Sequence, residues 1–165
     1  MIKKCVVWLI TAVMLYVVQS SLLIGIAWRG ISPDLMLLFT VSFSFLYGSR
    51  YGTWIGFMAG LIMDIASGTF WGFNTFSKMI IGYACGSFSK QVFKEQKILQ
   101  MLAVAIASFA QFGLFISLLA LLGYSVDLLT IIQNRLLPIM LMNIWPALLV
   151  HMLVRRIDLY LNEKK

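Results

Sequence analysis

Long uncharged segments separated by short polar breaks make up nearly the whole chain. The first covers residues 5–28 and exceeds the roughly 7–15 apolar residues of a signal peptide, so we interpret it as a retained membrane span. The pattern predicts an all-α polytopic membrane bundle of six transmembrane helices, at about residues 6–27, 34–47, 53–66, 73–88, 98–122 and 136–154. Because these spans use nearly all of the chain, residues 1–165 are predicted to form a single integral membrane domain.

Small residues recur at every fourth position in the third and fourth predicted spans. Residues four apart share one face of a helix, and small side chains let two helix backbones approach closely where no water drives them together. The spacing therefore predicts two neighbouring helices that pack through small-residue stripes. The predicted packing residues are Gly48, Gly52, Gly56, Gly60, Gly68, Gly82 and Gly86.

Each stripe is interrupted by one charge, Asp64 in the third span and Lys78 in the fourth. Counted from the turn that joins the two helices, these residues lie roughly 6 and 9 Å deep. Because the depths are similar and an unpaired charge is costly in a membrane, we expect Asp64 and Lys78 to lie close together, directly or through water, with Asn74 one turn above Lys78. Two interpretations stay open: a structural pair that fixes the register of the helices, or a functional polar cavity or partner contact.

A helix start is predicted at Ser32, Pro33 and Asp34, which precede the second apolar span. Serine accepts an amide hydrogen at an N-cap, proline fits the first turn, and an acid meets the positive end of the helix dipole. We therefore expect mainly a structural role for Asp34, with a partner contact as the alternative.

The composition argues against an enzyme. Hydrophobic residues make up 61% of the chain and charged residues 12%, about half the charge of a soluble domain. The sequence holds no Ser-His-acid set, no phosphate-binding glycine loop and no His/Cys cluster, so we predict no catalytic residue, no cofactor and no metal site.

Basic residues are distributed unequally between the two ends of the predicted bundle. Six spans place both termini on one side, and the positive-inside rule places that side in the cytoplasm. The net charge of +7 thus indicates membrane orientation and contact with anionic membrane lipid rather than nucleic acid. The terminal side would hold Lys3, Lys4, Arg50, Lys90, Lys94, Lys97, Arg155, Arg156, Lys164 and Lys165, and the opposite side only Arg29 and Arg135.

An ordered set of these residues resembles the MreD family of bacterial rod shape-determining membrane proteins. The resemblance is most specific over residues 33–86 and covers most of the chain in size and layout. The residues that carry it are Pro33, Asp34, Leu35, Gly48, Gly52, Gly56, Phe57, Gly60, Leu61, Asp64, Gly68, Gly72, Asn74, Gly82 and Tyr83.

The resemblance implies a non-catalytic inner-membrane scaffold of the cell-wall elongation complex, with MreC, MreB, RodA and a penicillin-binding transpeptidase as partners. It also implies a fold similar to the substrate-binding subunits of energy-coupling-factor vitamin transporters. A solute-binding transporter subunit, with an outward cavity near Asp64, Asn74 and Lys78, is therefore the alternative function.

Overall fold

The computed structural model describes residues 2–21, 23–27, 31–68, 71–92, 97–124 and 131–163, and within them the side chains of all residues except 2, 24, 26, 89–92, 97, 98 and 163. A 3-10 turn at Leu23–Ile26 follows the first helix, and a π-helical turn at Ile132–Leu136 precedes the last. Over these described residues, the predicted all-α fold with six helices is confirmed. The helices are α1 (Ile2–Ser21), α2 (Leu35–Tyr47), α3 (Ser49–Ser67), α4 (Phe73–Val92), α5 (Lys97–Leu121) and α6 (Leu137–Glu163).

The predicted bounds agree to within one residue for α2 and α5, whereas α3 begins four residues before its predicted start, α4 ends four residues after its predicted end, and α1 and α6 differ more. Helix α1 begins at Ile2 and ends at Ser21, whereas the apolar pattern predicts residues 6–27. Helix α6 continues to Glu163, past the predicted end at 154. Apolarity marks the membrane-crossing part of a helix, but backbone hydrogen bonds continue into a charged segment such as the one after Val154.

Helix α2 forms the centre of the bundle. All eleven side chains of residues 35–45 are buried, and Trp8 of α1 packs edge-on against Phe43 with ring centroids 4.9 Å apart. At 13 residues, about 20 Å, α2 is shorter than a hydrocarbon core of about 30 Å. A helix that is apolar all round belongs in an interior, and the other helices enclose it.

Within the described residues, three helical segments are long and apolar enough to cross a membrane: Lys3–Ser21, Leu99–Leu121 and Ile132–Asn162. They belong to α1, α5 and α6, and they expose many large apolar side chains as lipid-facing helices do. Membrane crossing by α2, α3 and α4 stays a prediction, because α2 is short and α3 and α4 carry the glycines and the buried charges.

The glycine stripes bring α3 and α4 together inside the chain. A Cβ atom added at Gly56 would lie 2.3 Å from the Lys78 carbonyl oxygen, and one at Gly60 would lie 2.3 Å from Thr75 Cα. Gly82 meets the Gly52 backbone in the same way, and Gly86 meets that of Ser49. The two helices are therefore in backbone contact along their length.

Two of the seven predicted packing glycines also end helices. Gly48 (φ 85°) lies between α2 and α3, and Gly68 (φ 62°) ends α3. These left-handed conformations favour glycine because it lacks a Cβ atom. No atom lies within 4 Å of a Cβ added at Gly68, so this glycine serves the turn and not the interface.

The two ends of the chain lie together at one end of the bundle, which we call the termini end; the opposite end is the distal end. Lys4 Nζ donates a hydrogen bond of 2.7 Å to Asn162 Oδ1. Next to it, the hydroxyl of Tyr47 donates to Asp158, which also accepts from Asn162. Arg29 and the Lys90, Lys94, Lys97, Lys164 and Lys165 side chains lie outside the described part.

Candidate functional site

A buried ion pair joins α4 to the start of α2. Lys78 Nζ lies 2.8 Å from Asp34 Oδ2, and the Lys78 side chain is fully buried. The Lys78 carbonyl lies against Gly56 of α3, whereas the Lys78 side chain reaches Asp34 at the start of α2. Attraction in this low-dielectric interior offsets the cost of taking both charges out of water.

The predicted pairing of Lys78 with Asp64 is therefore wrong. Asp64 is 3% exposed and accepts four hydrogen bonds at the start of α4. Its Oδ1 accepts from the backbone N–H and the side-chain amide of Asn74, at 3.1 and 3.0 Å. Its Oδ2 accepts from the backbone N–H and the hydroxyl of Thr75, at 2.9 and 2.6 Å.

Asp64 thus caps a helix to which it does not belong. The first N–H groups of any helix lack partners within that helix and carry the positive end of its dipole. Asn74 and Thr75 are the second and third residues of α4, and their N–H groups meet the carboxylate of Asp64 on α3. The expected similar depth of Asp64 and Lys78 is not met, because the contacts between α3 and α4 place Lys78 opposite Gly56, eight residues or about 12 Å from Asp64 along α3.

Asp34 is the N-cap of α2, two positions after Ser32, which the capping pattern predicts as the N-cap. Its Oδ1 accepts from the Leu37 N–H at 2.9 Å, and helix α2 begins directly after it. Gln19 of α1 supports the same turn, because its Oε1 accepts from the Met36 N–H at 3.3 Å. The structural role expected for Asp34 is present, together with the ion pair that the sequence pattern did not indicate.

Helices α5 and α6 complete what we call the polar cluster: Asp34, Lys78, Ser108, Gln111 and Asn143. Gln111 Nε2 donates to Asp34 Oδ2 at 3.1 Å, and the Asp34 N–H donates to Asn143 Oδ1 at 2.7 Å. Asn143 Nδ2 in turn donates to Ser108 Oγ at 2.9 Å. Asp34 therefore connects the start of α2 to α4, α5 and α6.

Sequence reasoning missed Ser108, Gln111, Asn143 and Thr75 as members of these networks. Gln111 and Asn143 carry a usable signal, since an amide in the middle of an apolar span is costly unless it is hydrogen-bonded. Ser108 and Thr75 carry none, because hydroxyl side chains are common in membrane helices and often bond to their own backbone.

A cavity of about 170 Å³ lies beside the polar cluster, where α2 and α4 begin. Asp34, Ser108, Gln111 and Asn143 line one side of it. The remaining lining comes from Leu37, Phe73, Phe112, Phe115 and Ile139. The cavity lies against Asp34 and not against Asp64, Asn74 or Lys78, where the transporter alternative expected one.

The chemistry of this region is that of a structural network. Each cluster charge has an opposite charge or hydrogen-bond donors, and no three His, Cys, Asp or Glu side chains converge as metal ligands in the part of the chain that the structure describes. Such a network fixes how helices meet, since every alternative arrangement leaves a polar group unpaired in an apolar interior.

Comparison with known proteins identifies one family. The family model described as "MreD: rod shape-determining protein MreD" matches residues 1–163. No curated protein and no solved structure matched the chain.

Proposed function

The chain belongs to the MreD family of rod shape-determining membrane proteins, and from that premise we propose that it is a non-catalytic scaffold of the cell-wall elongation complex in the bacterial inner membrane. The observation that carries the proposal is the family match over nearly the whole chain. The buried polar groups support it, because Asp34, Asp64 and Lys78 all hold helices together. The family relationship favours this role over the transporter alternative.

We propose MreC as the direct partner, with MreB, RodA and a penicillin-binding transpeptidase assembled in the same complex. The glycine stripe of α3 is not available to a partner helix, because Gly52, Gly56 and Gly60 contact the α4 backbone. A partner span must therefore use another face of the bundle.

Helix α5 offers such a face. Only 17% of the residues in its membrane-crossing segment are buried inside the bundle. Its distal half exposes small side chains. No atom lies within 4 Å of a Cβ added at Gly113. These small residues fall within an arc of about 80° at 3.6 residues per turn, namely Ala110, Gly113, Ser117 and Ala120.

A face of this kind suits the single span of MreC. Small side chains let an incoming helix approach closely, and packing contacts then hold the helices together in lipid. The Ser117 hydroxyl already donates to the Gly113 carbonyl at 2.8 Å, so docking leaves no new polar group without a partner.

The test uses a rod-shaped host that lacks its own copy of this protein. Ala110→Leu adds bulk to the exposed small face of α5, whereas the control Ala84→Leu makes the same change on an exposed position of α4. We expect Ala110→Leu to lower MreC co-purification several-fold and to give rounded cells. Ala84→Leu should preserve both MreC recovery and rod shape.

Equal MreC recovery from both variants at matched protein levels would refute docking on α5. Rods that persist without any copy of the protein would refute the shape-determining role in that host.

A further inference from the structure

The cavity beside the polar cluster has an apolar wall and a polar wall. Phe73 and Phe115 meet edge to face with ring centroids 5.5 Å apart, and Phe112 and Ile139 extend the apolar side. The polar wall contains Asp34, Gln111, Ser108 and Asn143. An occupant must therefore combine an apolar body with a polar group at one end.

Among the described side chains of the polar wall, the buried polar atom without a hydrogen-bond partner is an acceptor. Gln111 uses its Nε2 on Asp34, and its buried Oε1 has no hydrogen-bond partner in the described structure. The Asp34 side chain is 13% exposed and carries carboxylate lone pairs beyond those used by Leu37, Lys78 and Gln111. An orphaned buried acceptor is costly, and the end torsion of a glutamine is soft enough to turn its oxygen toward a donor in the cavity.

The charge balance of the polar wall favours a neutral occupant. The Asp34 carboxylate already has Lys78 at 2.8 Å, so the pair as a whole is neutral. An added cation would compete with Lys78, and an added anion would face the Asp34 carboxylate. Either would be buried without a counter-charge, which is far more costly than burying a hydroxyl that finds an acceptor.

The volume of the cavity limits the size of its occupant. An apolar cavity of about 150 Å³ in another protein holds one benzene molecule, so about 170 Å³ admits one small ring or a short branched chain with one polar group.

We propose that this cavity binds a small neutral group with an apolar body and one hydroxyl, which donates its hydrogen to Gln111 Oε1. The hydroxyl belongs either to a free small molecule or to a lipid headgroup at the distal surface. This inference is independent of the proposed docking of MreC.

The test measures ¹⁹F NMR binding to the purified full-length protein. The probes are 4-fluorophenol, its near-isostere 4-fluorotoluene without a donor, and the cation 4-fluorobenzylammonium. We expect saturable binding of 4-fluorophenol, about tenfold tighter than 4-fluorotoluene, which corresponds to about one hydrogen bond. The ammonium probe should bind more weakly than the phenol.

Two variants locate the binding. Ile139→Phe fills the cavity and should abolish binding of both neutral probes, whereas Ile106→Phe makes the same change on an exposed position of α5 and should leave binding unchanged. Gln111→Met should remove the preference for phenol over toluene. Because Gln111→Met also removes a hydrogen bond to Asp34, the comparison of the two isoleucine variants stands independently of its folding.

Equal affinity for phenol and toluene, tightest binding of the ammonium probe, or binding that survives Ile139→Phe would each overturn the proposal. Nanodiscs then distinguish the two sources. If phosphatidylglycerol, whose headgroup carries hydroxyls, weakens phenol binding relative to phosphatidylcholine, the natural occupant is a lipid headgroup. If the two lipids give equal affinity, it is a free small molecule.

Discussion

Asp34 connects more of the molecule than any other single residue described above. Its carboxylate caps α2 through Leu37 and pairs with Lys78, and its backbone N–H bonds to Asn143 of α6. Removing one member of a buried pair is more damaging than removing both, because the survivor keeps its desolvation cost and loses its partner.

Lys78→Met should therefore lower the free energy of unfolding by about 3–5 kcal/mol, seen as a lower melting temperature in detergent. Adding Asp34→Asn should recover part of that loss, because asparagine keeps the N-cap and removes the unpaired charge. Adding Asp64→Asn to Lys78→Met should recover none. Recovery by Asp64→Asn would favour the pairing that sequence reasoning predicted and would contradict the observed one.

Asp64→Ala tests the cap that α3 places on α4. The change leaves the Asn74 and Thr75 N–H groups without their acceptor, so we expect a loss of about 1–3 kcal/mol in unfolding free energy. Asp64→Asn, which keeps an acceptor oxygen, should lose less. Equal stability of all three proteins in a thermal melt would show that water replaces the cap.

At the scale of elements, the contact between α3 and α4 is decided by how closely two backbones approach. Gly56 sits against the Lys78 carbonyl, whereas Gly113 on α5 faces open space. Glycine is a poor helix former in both places, but only at Gly56 is a side chain excluded by a neighbouring backbone.

The same substitution at these two glycines should therefore have opposite effects. Gly56→Ala places a methyl group 2.3 Å from the Lys78 carbonyl oxygen and should cost about 1–3 kcal/mol by forcing the helices apart. Gly113→Ala should be neutral or stabilising by up to about 1 kcal/mol, because alanine favours the helix. Melting temperatures of the two purified variants measure the difference, and a tolerated Gly56→Ala would contradict the close packing.

At the scale of the whole molecule, the contact between Lys4 and Asn162 brings both ends of the chain to one end of the bundle. Described basic side chains at that end include Lys3, Arg50 and Arg155, all exposed. The positive-inside rule then predicts that the termini end faces the cytoplasm.

Reporter fusions test this orientation. A fluorescent protein joined after residue 165 should fluoresce, and alkaline phosphatase at the same position should be inactive, because each reporter works on one side of the membrane only. Alkaline phosphatase inserted at Tyr124, after the distal end of α5, should be active as the matched control. An active enzyme after residue 165 would reverse the orientation.

The sequence by itself determined the helical class, the six helices, the family resemblance and the small-residue stripes of α3 and α4. These features depend on local properties, since apolar runs and four-residue spacing are readable without knowing which helices meet. The start of α2 was readable for the same reason, although the N-cap is Asp34 and not Ser32, two positions earlier.

Only the tertiary structure decided which partner each buried charge takes. Lys78 reaches Asp34, 44 positions away along the chain, and Asp64 caps α4 rather than pairing with Lys78. Counting residues from the joining turn suggests similar depths, but the register of α3 against α4 places Lys78 opposite Gly56 and away from Asp64, and the direction of each side chain also depends on how its helix is rotated against its neighbours. That rotation is fixed by packing across the whole bundle, such as Gly56 against the α4 backbone, and no local pattern encodes it.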